Sequence, residues 1–546
     1  MQVLGISVAH DSSACLLKDG EIVQFFKEER LSRKKRDKLP FLSLIKLLEN
    51  NTEKIDVVAF SPVDGGEEDF LHNVLTIMKK YGHTPEIFNL ENNHHLQHAA
   101  LAFYSSNFDD ASVIVIDRNG SDFGGARECE TIFSASKNAG FVEIYKNFWV
   151  YHNSAQELIQ NWGLERGIDV DASSLFGIVK VYEAATTMIG QDALENGKTM
   201  GLSAYGKLKD SFPNLFANNT NIPQDHLFSH TSSLGENYQT IYKNLSHYKP
   251  ENFSKQNFQE YADFAAQVQL QTQNAVSYLV KKALAKNKTK NIVITGGYGL
   301  NVVANNFLIK SFPEANFYFE PIADDSGTSI GGAMFAYSQI AGYNSVASPQ
   351  NLFFHGQKHS LSNIQGQNFS TEKIVDLVLQ NKTIGIYNGL AEAGPRALGN
   401  RSIIFNASNS EAKKIVNEIK KREWYRPFAA AVLESDANSY FDMVGLSESK
   451  NMTVSFDAFE KTKQLFPGII HVDGSCRIQT VGEGDGVFFE ILSLLKEKTG
   501  HGILLNTSFN LAGDPLVETP EDAFSVFQNS KLDVLWFAEV SKGFVK

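Results

Sequence analysis

The alternation of apolar and polar positions near the start of the chain predicts a β-hairpin. The segment GISVAHDSSACLLKDGEIVQFF contains three apolar runs, and the last two flank Asp19 and Gly20, a dipeptide that favours tight hairpin turns. Short apolar runs at residues 55–60, 112–117 and 291–295 end in polar or glycine-rich residues, which is typical of buried strands. These segments predict a sheet-based fold with a polar loop after its first strand.

Helical periodicity is clearest between residues 258 and 286. Apolar or small residues recur there three, four and seven positions apart, and the interior contains neither glycine nor proline. The positions that keep this spacing are Tyr261, Phe264, Ala265, Val268, Thr272, Ala275, Leu279 and Ala283. Strands that alternate with helices indicate an α/β architecture, in which ligands bind at the carboxyl ends of the strands.

A second α/β pattern follows a polar stretch rich in Ser, Asn, Gln and Gly. Strands are predicted at 383–387, 477–481 and 503–505, and helices at 411–422 and 488–498. The sequence TPED at Thr519 starts another helix, because it supplies an N-cap threonine, a proline and first-turn acids. We predict an N-terminal domain of residues 1–345, a linker of residues 346–370 and a C-terminal domain of residues 371–546.

Composition narrows the class of protein. The 50 Lys+Arg and 62 Asp+Glu residues give a formal net charge of -12, which disfavours nucleic acid as a partner. Three scattered cysteines predict neither a disulfide framework nor a cysteine-based zinc site. No apolar run approaches the roughly 18 residues of a membrane span, and the first residues lack the basic start of an export signal. The sequence therefore predicts a cytoplasmic protein that does not bind membranes.

Two histidines and two aspartates are candidate metal ligands. His94 and His98 are four apart on a predicted helix, so their rings project from one face. Asp117 ends a predicted strand, and Asp325 lies in a loop before a helix of small residues, where an α/β sheet presents acids to a ligand. The alternative is a polar helix face without a metal. His95 also competes as a partner of His98.

Two further segments of the predicted N-terminal domain end strands in polar or glycine-rich residues. His10 follows the first strand, where a base could stand, although a loop histidine is the simpler interpretation. Gly296, Gly297 and Gly299 follow another strand, so the backbone can pass close to a phosphate or nucleoside. The spacing is not that of a dinucleotide-binding motif, and a plain strand-to-helix turn explains it equally well.

The C-terminal half contains a segment in which the acidic character of the chain is reversed. Residues 396–426 include eight Lys or Arg residues but only three acidic residues. The candidates for phosphate or carboxylate recognition are Arg396, Arg401, Lys420, Arg422 and Arg426. A solvated charge run is the alternative. The segments HVDGSCRIQTV and LLNTSFNLAGDP are each expected to end a strand in polar residues that line the same pocket or form turns.

The chain resembles the O-carbamoyltransferase family of the NodU/CmcH type, which includes nodulation-factor and antibiotic-tailoring enzymes. The matching motifs are HDSSA, EERLSRKKRD, HHLQHA, the aspartate after VIVI, KTMGLSAYG, TGGYGLN, DDSG, GPRALGNRS, KKREWYRPFA, HVDGSCR and NTSFN. They occur in the family's order over nearly the whole chain. The resemblance implies a duplicated α/β domain of the ASKHA (actin-like ATPase) type, fused to a C-terminal YrdC-like α/β domain.

The resemblance also implies a reaction. The YrdC-like domain would make carbamoyl-adenylate from carbamoyl phosphate and ATP, and the ASKHA domain would pass the carbamoyl group to a hydroxyl of a sugar, antibiotic or other small molecule. The implied cofactors are ATP and a divalent metal ion, which would be Fe(II) in the first place and Mg as the alternative. The protein would act as a monomer or homodimer.

Roles for individual residues follow from the same resemblance. His94, His98, Asp117 and Asp325 match the metal ligands. His10 matches a general base, and Lys35 matches a lysine that contacts the carbamoyl donor. Arg396, Lys420 and Arg426 match residues around carbamoyl phosphate and the adenylate. The remaining cofactor-binding candidates are Gly296, Gly297, Asn301, Arg401, Arg422, Asn506 and Ser508.

The chain departs from the family pattern in two places. Arg118 follows Asp117 where the family usually has glycine, and NGLAEAGPRALG lacks the Arg and aromatic that commonly precede GPRALG. The acceptor is not encoded in a recognisable motif, and the loop-like segment 210–251 is a candidate for shaping its site.

Three other functions share parts of this pattern. A tRNA threonylcarbamoyl transferase would need a basic RNA track, which the charge of -12 disfavours. A hydrogenase-maturation carbamoyltransferase would need cysteine-rich zinc fingers, which three isolated cysteines cannot form. A non-catalytic nucleotide-binding ASKHA protein would not need the intact metal-matching residues and basic segment.

Overall fold

The computed structural model describes residues 1–62, 68–217, 220–224, 227 and 253–546. These residues form two compact units. The first unit contains Met1–Glu28 and Lys38–Gln350, and the second contains Glu29–Asp37 and Asn351–Lys546. A short segment from early in the chain therefore belongs to the second unit. Most of the candidate segment 210–251 lies outside the described residues.

The first unit contains a five-stranded sheet in the order β3-β2-β1-β4-β5. Its strands are β1 (Gln2–Val8), β2 (Ser13–Lys18), β3 (Glu21–Lys27), β4 (Val57–Pro62) and β5 (Glu86–Asn89). The strands β1, β2 and β3 pair antiparallel, whereas β4 and β5 continue the sheet in parallel. The predicted hairpin is confirmed, with its turn at Asp19 and Gly20, both of which have positive φ.

The second sheet of this unit repeats the topology of the first. Its order is β11-β10-β6-β7-β8-β9. The strands are β6 (Asp110–Ile116), β7 (Ala126–Ser136), β8 (Gly140–Val150), β9 (Asp169–Ser173), β10 (Asn291–Thr295) and β11 (Asn316–Phe319). Again three antiparallel strands are followed by two parallel ones, and β9 is added at the edge. The predicted duplicated α/β fold of the ASKHA type is thus confirmed.

Helices flank these two sheets. They are α2 (Phe41–Asn50), α3 (Glu68–Lys80), α4 (His94–Ser105), α5 (Asn153–Arg166), α6 (Ile178–Met188), α7 (Asn196–Ser203), α8 (Phe258–Lys286), α9 (Val302–Ser311) and α10 (Gly327–Ala341). Helix α1 (Glu28–Ser32) belongs, apart from its first residue, to the second unit. Helix α8 has the predicted bounds, and its apolar face is buried as the spacing requires. Among the described residues, no helix combines the length and apolar character that a membrane crossing requires.

The second unit is built on one mixed sheet of ten strands, in the order β12-β21-β20-β13-β14-β19-β15-β18-β17-β16. The strands are β12 (Gln367–Asn368), β13 (Ile384–Tyr387), β14 (Arg401–Phe405), β15 (Ala429–Leu433), β16 (Phe441–Asp442), β17 (Ser455–Ala458), β18 (Ser475–Val481), β19 (Ile503–Ser508), β20 (Val534–Phe537) and β21 (Lys542–Val545). The helices are α11 (Thr371–Leu379), α12 (Ala412–Lys420), α13 (Glu434–Tyr440), α14 (Glu460–Leu465), α15 (Val487–Thr499) and α16 (Pro520–Gln528).

Alternation along β20 shows how the second unit forms its core. Val534 and Trp536 join one buried apolar cluster with residues of α11 and α15, whereas Leu535 and Phe537 join another with residues of α16. The α/β character of this unit, predicted from its sequence, is confirmed. Helix α16 begins as predicted, because the Thr519 hydroxyl accepts a hydrogen bond from Asp522 N and the Asp522 carboxylate accepts one from Thr519 N.

The prediction that HVDGSCRIQTV ends a strand is wrong for its first residues. His471 and Asp473 precede β18 rather than follow it. The Asp473 side chain accepts a hydrogen bond from Ser475 N at 2.9 Å, and Gly474 has φ +83°, so these residues form a turn that leads into the strand. A polar side chain that bonds to the backbone two positions later favours a turn before a strand as readily as after one.

Candidate functional site

The predicted metal-ligand cluster is assembled in the first unit from three chain segments. His94 and His98 lie on the first turns of α4, Asp117 follows β6, and Asp325 lies in the turn before α10. All four side chains are buried, and one ligand atom from each lies within 4.8 Å of the others. The structure therefore brings together the four residues that the sequence separated by more than 200 positions.

The contacts within this cluster are longer than ordinary hydrogen bonds. His94 Nε2 lies 3.4 Å from Asp117 Oδ2 and 3.7 Å from Asp325 Oδ1. His98 Nε2 lies 3.6 Å from Asp325 Oδ1. Within the described residues, His98 Nδ1, His98 Nε2 and His94 Nδ1 have no hydrogen-bond partner although they are buried. Such separations suit side chains that share a central cation at about 2 Å better than side chains that bond one another directly.

His95 does not compete for the cluster. Its Nδ1 lies 2.7 Å from Thr131 Oγ1, on strand β7, and the ring is fully buried. Burial lowers the pKa of His95 to about 4, so the ring is neutral at physiological pH. The alternative pairing of His95 with His98 is therefore not adopted. The spacing of three residues allowed it, but the ring faces the sheet.

The surroundings of the cluster favour the ionised forms of its two aspartates. Burial alone would raise the pKa of Asp117, but the polar contact with His94 and the charges of His98 and His94 together outweigh burial, and the pKa lies well below its usual value. Burial likewise opposes charge on Asp325, yet His10 lowers the pKa of that carboxyl. Two ionised carboxylates at these depths require cationic partners, and imidazoles together with carboxylates form a donor set for a divalent transition metal.

His10 lies beside the cluster in the loop between β1 and β2. Its Nδ1 is 2.9 Å from Asp325 Oδ2, its Nε2 is 3.4 Å from Asp11 Oδ2, and its side chain is 27% exposed. Burial disfavours the charged ring, but Asp325 and Asp11 raise the pKa of His10 to about 9. A partly exposed imidazole next to a metal-ligand set can exchange a proton with a bound substrate.

Lys27 is a residue of this site that sequence reasoning missed. It ends β3, and its Nζ lies 2.8 Å from Asp11 Oδ1 and 3.1 Å from Asp324 Oδ2 while only 7% of the side chain is exposed. The lysine thus ties the loop of His10 to the turn of Asp325. A charged residue at an inward position of an apolar strand was the available signal.

The glycine turn after β10 packs directly against the cluster. Gly296 has φ +79° and ψ 168°, and a Cβ there would lie 2.5 Å from the carbonyl oxygen of Ile116. Gly297 N donates a hydrogen bond to Asp117 Oδ1 at 3.0 Å. Asn301 caps α9 by accepting a hydrogen bond from Ala304 N at 3.1 Å, and its amide also bonds to Gln269. The turn therefore brings backbone, rather than side chains, next to Asp117.

Arg118, which stands after Asp117 where the family usually has glycine, is directed toward helix α6. Its Nε donates a hydrogen bond to Glu183 Oε2 at 3.0 Å, and Glu183 is buried. The arginine therefore forms an ion pair with a buried glutamate of α6 instead of replacing a ligand of the cluster. The position of Asp117 is compatible with this substitution.

The second unit gathers the basic residues around Lys420, the last residue of α12. Its Nζ contacts Ser508 and Asn510, at 3.1 Å from Ser508 Oγ and 2.9 Å from Asn510 Oδ1, and the lysine is buried. Burial lowers the pKa of Lys420 well below its usual value, and the charges of Arg422, Arg426 and Lys35 lower it further. Positive charges this close repel one another, so the cluster favours an anionic ligand.

The neighbouring arginines extend this cationic cluster. Arg422 bonds to Asn417 Oδ1 and Pro427 O, and burial, Arg426 and Arg477 together lower its pKa well below the usual value. The Nη1 atom of Arg426 lies 3.8 Å from Oε2 of Glu423. Burial and the charge of Arg426 lower the pKa of Arg477, and Cys476 offsets part of this effect. The resulting pKa is about 10. Arg477, on β18, is thus a site residue that the sequence placed only at a pocket wall.

Arg401 has a different position from the other basic residues. It is fully buried, and its guanidinium donates to the carbonyls of Asn388, Gly389, Asn400 and Glu518 at 2.5 to 3.3 Å. Its guanidinium carbon also lies 3.6 Å from the centre of the Tyr387 ring. The terminal nitrogens of Arg401 are therefore bound to the backbone of loops rather than directed at a ligand.

Because Arg401 binds four backbone carbonyls, its removal is predicted to lower the stability of the second unit. We expect Arg401→Met to lower the unfolding temperature of the second unit by about 6 to 12 °C, because buried carbonyls lose charged donors worth about 3 kcal/mol in sum. Lys414→Met removes the same charge from a side chain that is 71% exposed and is expected to change it by less than about 2 °C. Calorimetry of both variants measures the difference, and equal shifts would contradict the structural role.

Glu392 organises the loop that carries Arg396. Its Oε1 accepts hydrogen bonds from the backbone N of Leu398, Asn400 and Arg401 at 2.8 to 3.1 Å, and the residue is 1% exposed. Sequence reasoning noted the altered segment NGLAEAGPRALG but not this carboxylate. The single acid in an otherwise apolar and glycine-rich stretch was the signal.

The polar end of β19 also faces the loop of Arg396. Asn506 is fully buried and donates hydrogen bonds to Ala397 O at 3.1 Å and Gln479 Oε1 at 3.0 Å. Ser508 contacts Lys420. The two predicted residues thus lie in the same unit as Lys420, and Asn506 fixes the residue that follows Arg396.

Models of protein families match both halves of the chain. The model described as the carbamoyltransferase N-terminus matches residues 66–334, and that of the carbamoyltransferase C-terminus matches residues 375–542. The chain belongs to the carbamoyltransferase family. The two matches, together with the nodulation proteins among its relatives, identify the protein as a transferase enzyme.

Curated relatives of this carbamoyltransferase include the nodulation protein NolNO of Sinorhizobium fredii, which is 26% identical over 96% of the chain and 78% of the relative. An uncharacterized protein of Synechocystis, sll1178, is 28% identical over 98% of the chain and 95% of its own length. Nodulation protein U of Azorhizobium caulinodans is 32% identical over 42% of the chain and 41% of its own length.

Solved structures similar to this carbamoyltransferase include two HypF proteins. Full-length HypF in its phosphate- and nucleotide-bound form has a TM-score of 0.38 and 14% identity, over 63% of this chain and 56% of that one. HypF of T. kodakarensis has a TM-score of 0.39 and 13% identity, over 63% of this chain and 48% of that one. The carbamoyltransferase thus spans about half the length of these chains.

Proposed function

We propose that the protein is an ATP-dependent O-carbamoyltransferase with two half-reactions. The second unit would make carbamoyl-adenylate from carbamoyl phosphate and ATP, and the first unit would transfer the carbamoyl group to a hydroxyl of a small molecule. The observation that carries the proposal is the division of chemistry between the units: partly buried arginines lie around the buried Lys420 in one, and His10 lies beside a His–Asp cluster in the other.

The first half-reaction needs positive charge. Water cleaves carbamoyl phosphate to carbamate and inorganic phosphate, and an oxygen of the carbamate then attacks the α-phosphorus of ATP and displaces pyrophosphate. Negative charge develops on the phosphorus-bound oxygens during this step, and preorganised cations stabilise it. Lys420, Arg422, Arg426 and Arg477 would supply these charges, together with Arg396 and with Lys35 from Glu29–Asp37. Arg401 would support them by fixing loops.

The second half-reaction needs a base. The acceptor hydroxyl attacks the carbamoyl carbon, AMP leaves, and the proton passes to His10 in its neutral form. Because Asp325 and Asp11 raise the pKa of His10 to about 9, transfer should accelerate as the pH rises toward that value. General bases contribute about 10²- to 10⁴-fold to such steps. Lys27 would hold the loop of His10 in position through Asp11, and the backbone of Gly296 and Gly297 would approach the nucleotide. Asn301 would support this turn as a helix cap.

The four-residue cluster would hold a divalent cation through His94, His98, Asp117 and Asp325. Two imidazoles with two carboxylates favour iron(II) over magnesium, which prefers oxygen ligands. When bound, the cation would supply a Lewis acid for the adenylate phosphate and offset the charge of the two aspartates. The buried histidine nitrogens without hydrogen-bond partners among the described residues support this assignment.

Metal content tests the assignment without relying on activity. After anaerobic loading with iron(II), manganese(II), zinc(II) or magnesium(II) and gel filtration, we expect the wild-type protein to retain close to one transition-metal ion per chain. His98→Ala should weaken retention at least about 100-fold, because one of four ligands is lost. Elemental analysis by mass spectrometry provides the measurement.

His95→Asn is the matched control for the metal experiment. It changes a buried histidine on the same helix whose nitrogen bonds to Thr131 rather than facing the cluster. We expect this variant to retain the metal. Equal loss in both variants would indicate damage to α4, and no retained metal in the wild-type protein would refute the assignment.

The overall proposal is tested by product analysis. The protein is incubated with ATP, carbamoyl phosphate and a panel of hydroxylated metabolites, and mass spectrometry detects the addition of one carbamoyl group to an acceptor. Omission of ATP or carbamoyl phosphate should abolish the product. A product that forms without ATP would refute the adenylate route.

A further inference from the structure

Arg30 is a buried cation in the segment Glu29–Asp37, which belongs to the second unit. The residue is 7% exposed, and its Nη2 donates a hydrogen bond to the carbonyl oxygen of Gly394 at 3.1 Å. Within the part of the chain that the structure describes, Nε and Nη1 of the same side chain have no hydrogen-bond acceptor. The Glu29 Oε1 atom lies 3.8 Å from Nε, beyond hydrogen-bond distance.

Unsatisfied donors on a buried guanidinium are costly. Arginine remains charged at physiological pH, and a charged donor removed from water without an acceptor destabilises the fold. Most buried polar groups are therefore satisfied by protein, water or ligand. Arg33, three residues later, shows the usual outcome: it donates to Leu516 O at 2.7 Å and Pro515 O at 3.0 Å and lies 3.3 Å from Asp522.

The surroundings of Arg30 connect it with the cationic cluster of the second unit. Gly394, which accepts its hydrogen bond, lies two residues before Arg396 in the loop fixed by Glu392. Lys35, at the other end of the segment, is close enough to Lys420 to affect its charge. Arg33 ties the segment to the loop that follows Ser508 and Asn510. Arg30 is thus held between elements that carry proposed donor-site residues.

We propose that Arg30 binds an anionic oxygen of the carbamoyl donor through its Nε and Nη1 hydrogens. The proposal rests on the proposed function and extends it, because it adds a binding residue from the first part of the chain to the site of the second unit. A guanidinium forms charge-assisted hydrogen bonds with phosphate and carboxylate oxygens, both of which carbamoyl phosphate and its carbamate product present.

Steady-state kinetics of the first half-reaction test Arg30. Carbamoyl-phosphate-dependent exchange of labelled pyrophosphate into ATP is measured for the full-length wild-type protein, Arg30→Met and Arg30→Lys. We expect Arg30→Met to raise the KM for carbamoyl phosphate by about 10- to 100-fold, since charged hydrogen bonds are lost. The KM for ATP should change less than about threefold. Arg30→Lys, which keeps the charge but not the fork, should lie between wild type and Arg30→Met.

Lys34→Met is the matched control, since it removes the same charge from the same segment at a side chain that is 74% exposed and faces Asp37. We expect its KM for carbamoyl phosphate to match wild type. An unchanged KM in Arg30→Met, or an equal rise in Lys34→Met, would overturn the assignment of Arg30. A KM for ATP that rises in parallel would also overturn it, because a loosened loop affects both substrates.

A second readout separates this inference from the proposed function. Inorganic phosphate is added to the wild-type protein and to Arg30→Met, and the melting temperature is recorded. We expect phosphate to stabilise the wild-type protein and to have a weaker effect on Arg30→Met. Absence of pyrophosphate exchange in the wild type together with this difference would refute the adenylate route and keep Arg30 as an anion-binding residue. Equal phosphate effects would refute the role of Arg30.

Discussion

Lys420→Met is expected to reduce carbamoyl-phosphate-dependent pyrophosphate exchange by about 10²- to 10³-fold. Lys420 is buried, and its Nζ is oriented by Ser508 and Asn510 at the end of β19. A methionine keeps much of the volume but removes the positive charge that would stabilise the developing phosphate charge. Because the interaction would be strongest in the transition state, the loss should appear in kcat as well as in KM.

The adjacent lysine supplies the control for this experiment. Lys421 is exposed and directly follows α12 as its C-cap, in a left-handed conformation with φ +54°. We expect Lys421→Met to retain exchange within about threefold of wild type. If Lys421→Met and Lys420→Met lose activity equally, the loss comes from helix α12 rather than from the charge at the site. Full exchange activity in Lys420→Met would contradict the assignment of the cationic cluster.

His10→Ala is expected to lower carbamoyl transfer to an acceptor by about 10²- to 10⁴-fold while pyrophosphate exchange remains near wild type. His10 lies beside Asp325 in the first unit, whereas the adenylate is proposed to form in the second. The two half-reactions should therefore separate. Carbamoyl-adenylate should accumulate or hydrolyse to AMP, because the acceptor hydroxyl lacks a base.

Two measurements check this separation. Exchange of labelled pyrophosphate reports the first half-reaction, and mass spectrometry of the carbamoylated acceptor reports the second. His72→Ala, an exposed histidine on α3, controls for the loss of any imidazole in the same unit and is expected to retain both activities. Parallel loss of exchange and transfer in His10→Ala would show that His10 is not specific to transfer.

Local patterns predicted the elements that carry the sites. The helix from Phe258 to Lys286 was predicted with its observed bounds, since a long amphipathic period without glycine or proline leaves little choice. His94, His98, Asp117 and Asp325 form one cluster because helix spacing and strand ends place polar groups at the same edge of an α/β sheet. Their assignment as ligands came from the family resemblance, since spacing alone also allowed a polar helix face.

Other features depend on contacts that no local pattern encodes. The segment Glu29–Asp37 packs with residues far later in the chain, and its charged composition alone is typical of exposed surface. Arg401 resembled the other arginines in sequence, but its guanidinium is bound to four backbone carbonyls. Glu392 and Lys27 were missed for the same reason: a single charged residue in an apolar stretch shows that a partner exists without showing which one it is.

The bond of ATP that the protein cleaves tests the central claim most directly. Wild-type protein is incubated with ATP labelled at the α-phosphorus, with and without carbamoyl phosphate, and the nucleotide and phosphate products are separated. The proposed function predicts AMP and pyrophosphate that form only when carbamoyl phosphate is present. ADP and inorganic phosphate without AMP, or no cleavage dependent on carbamoyl phosphate, would contradict it.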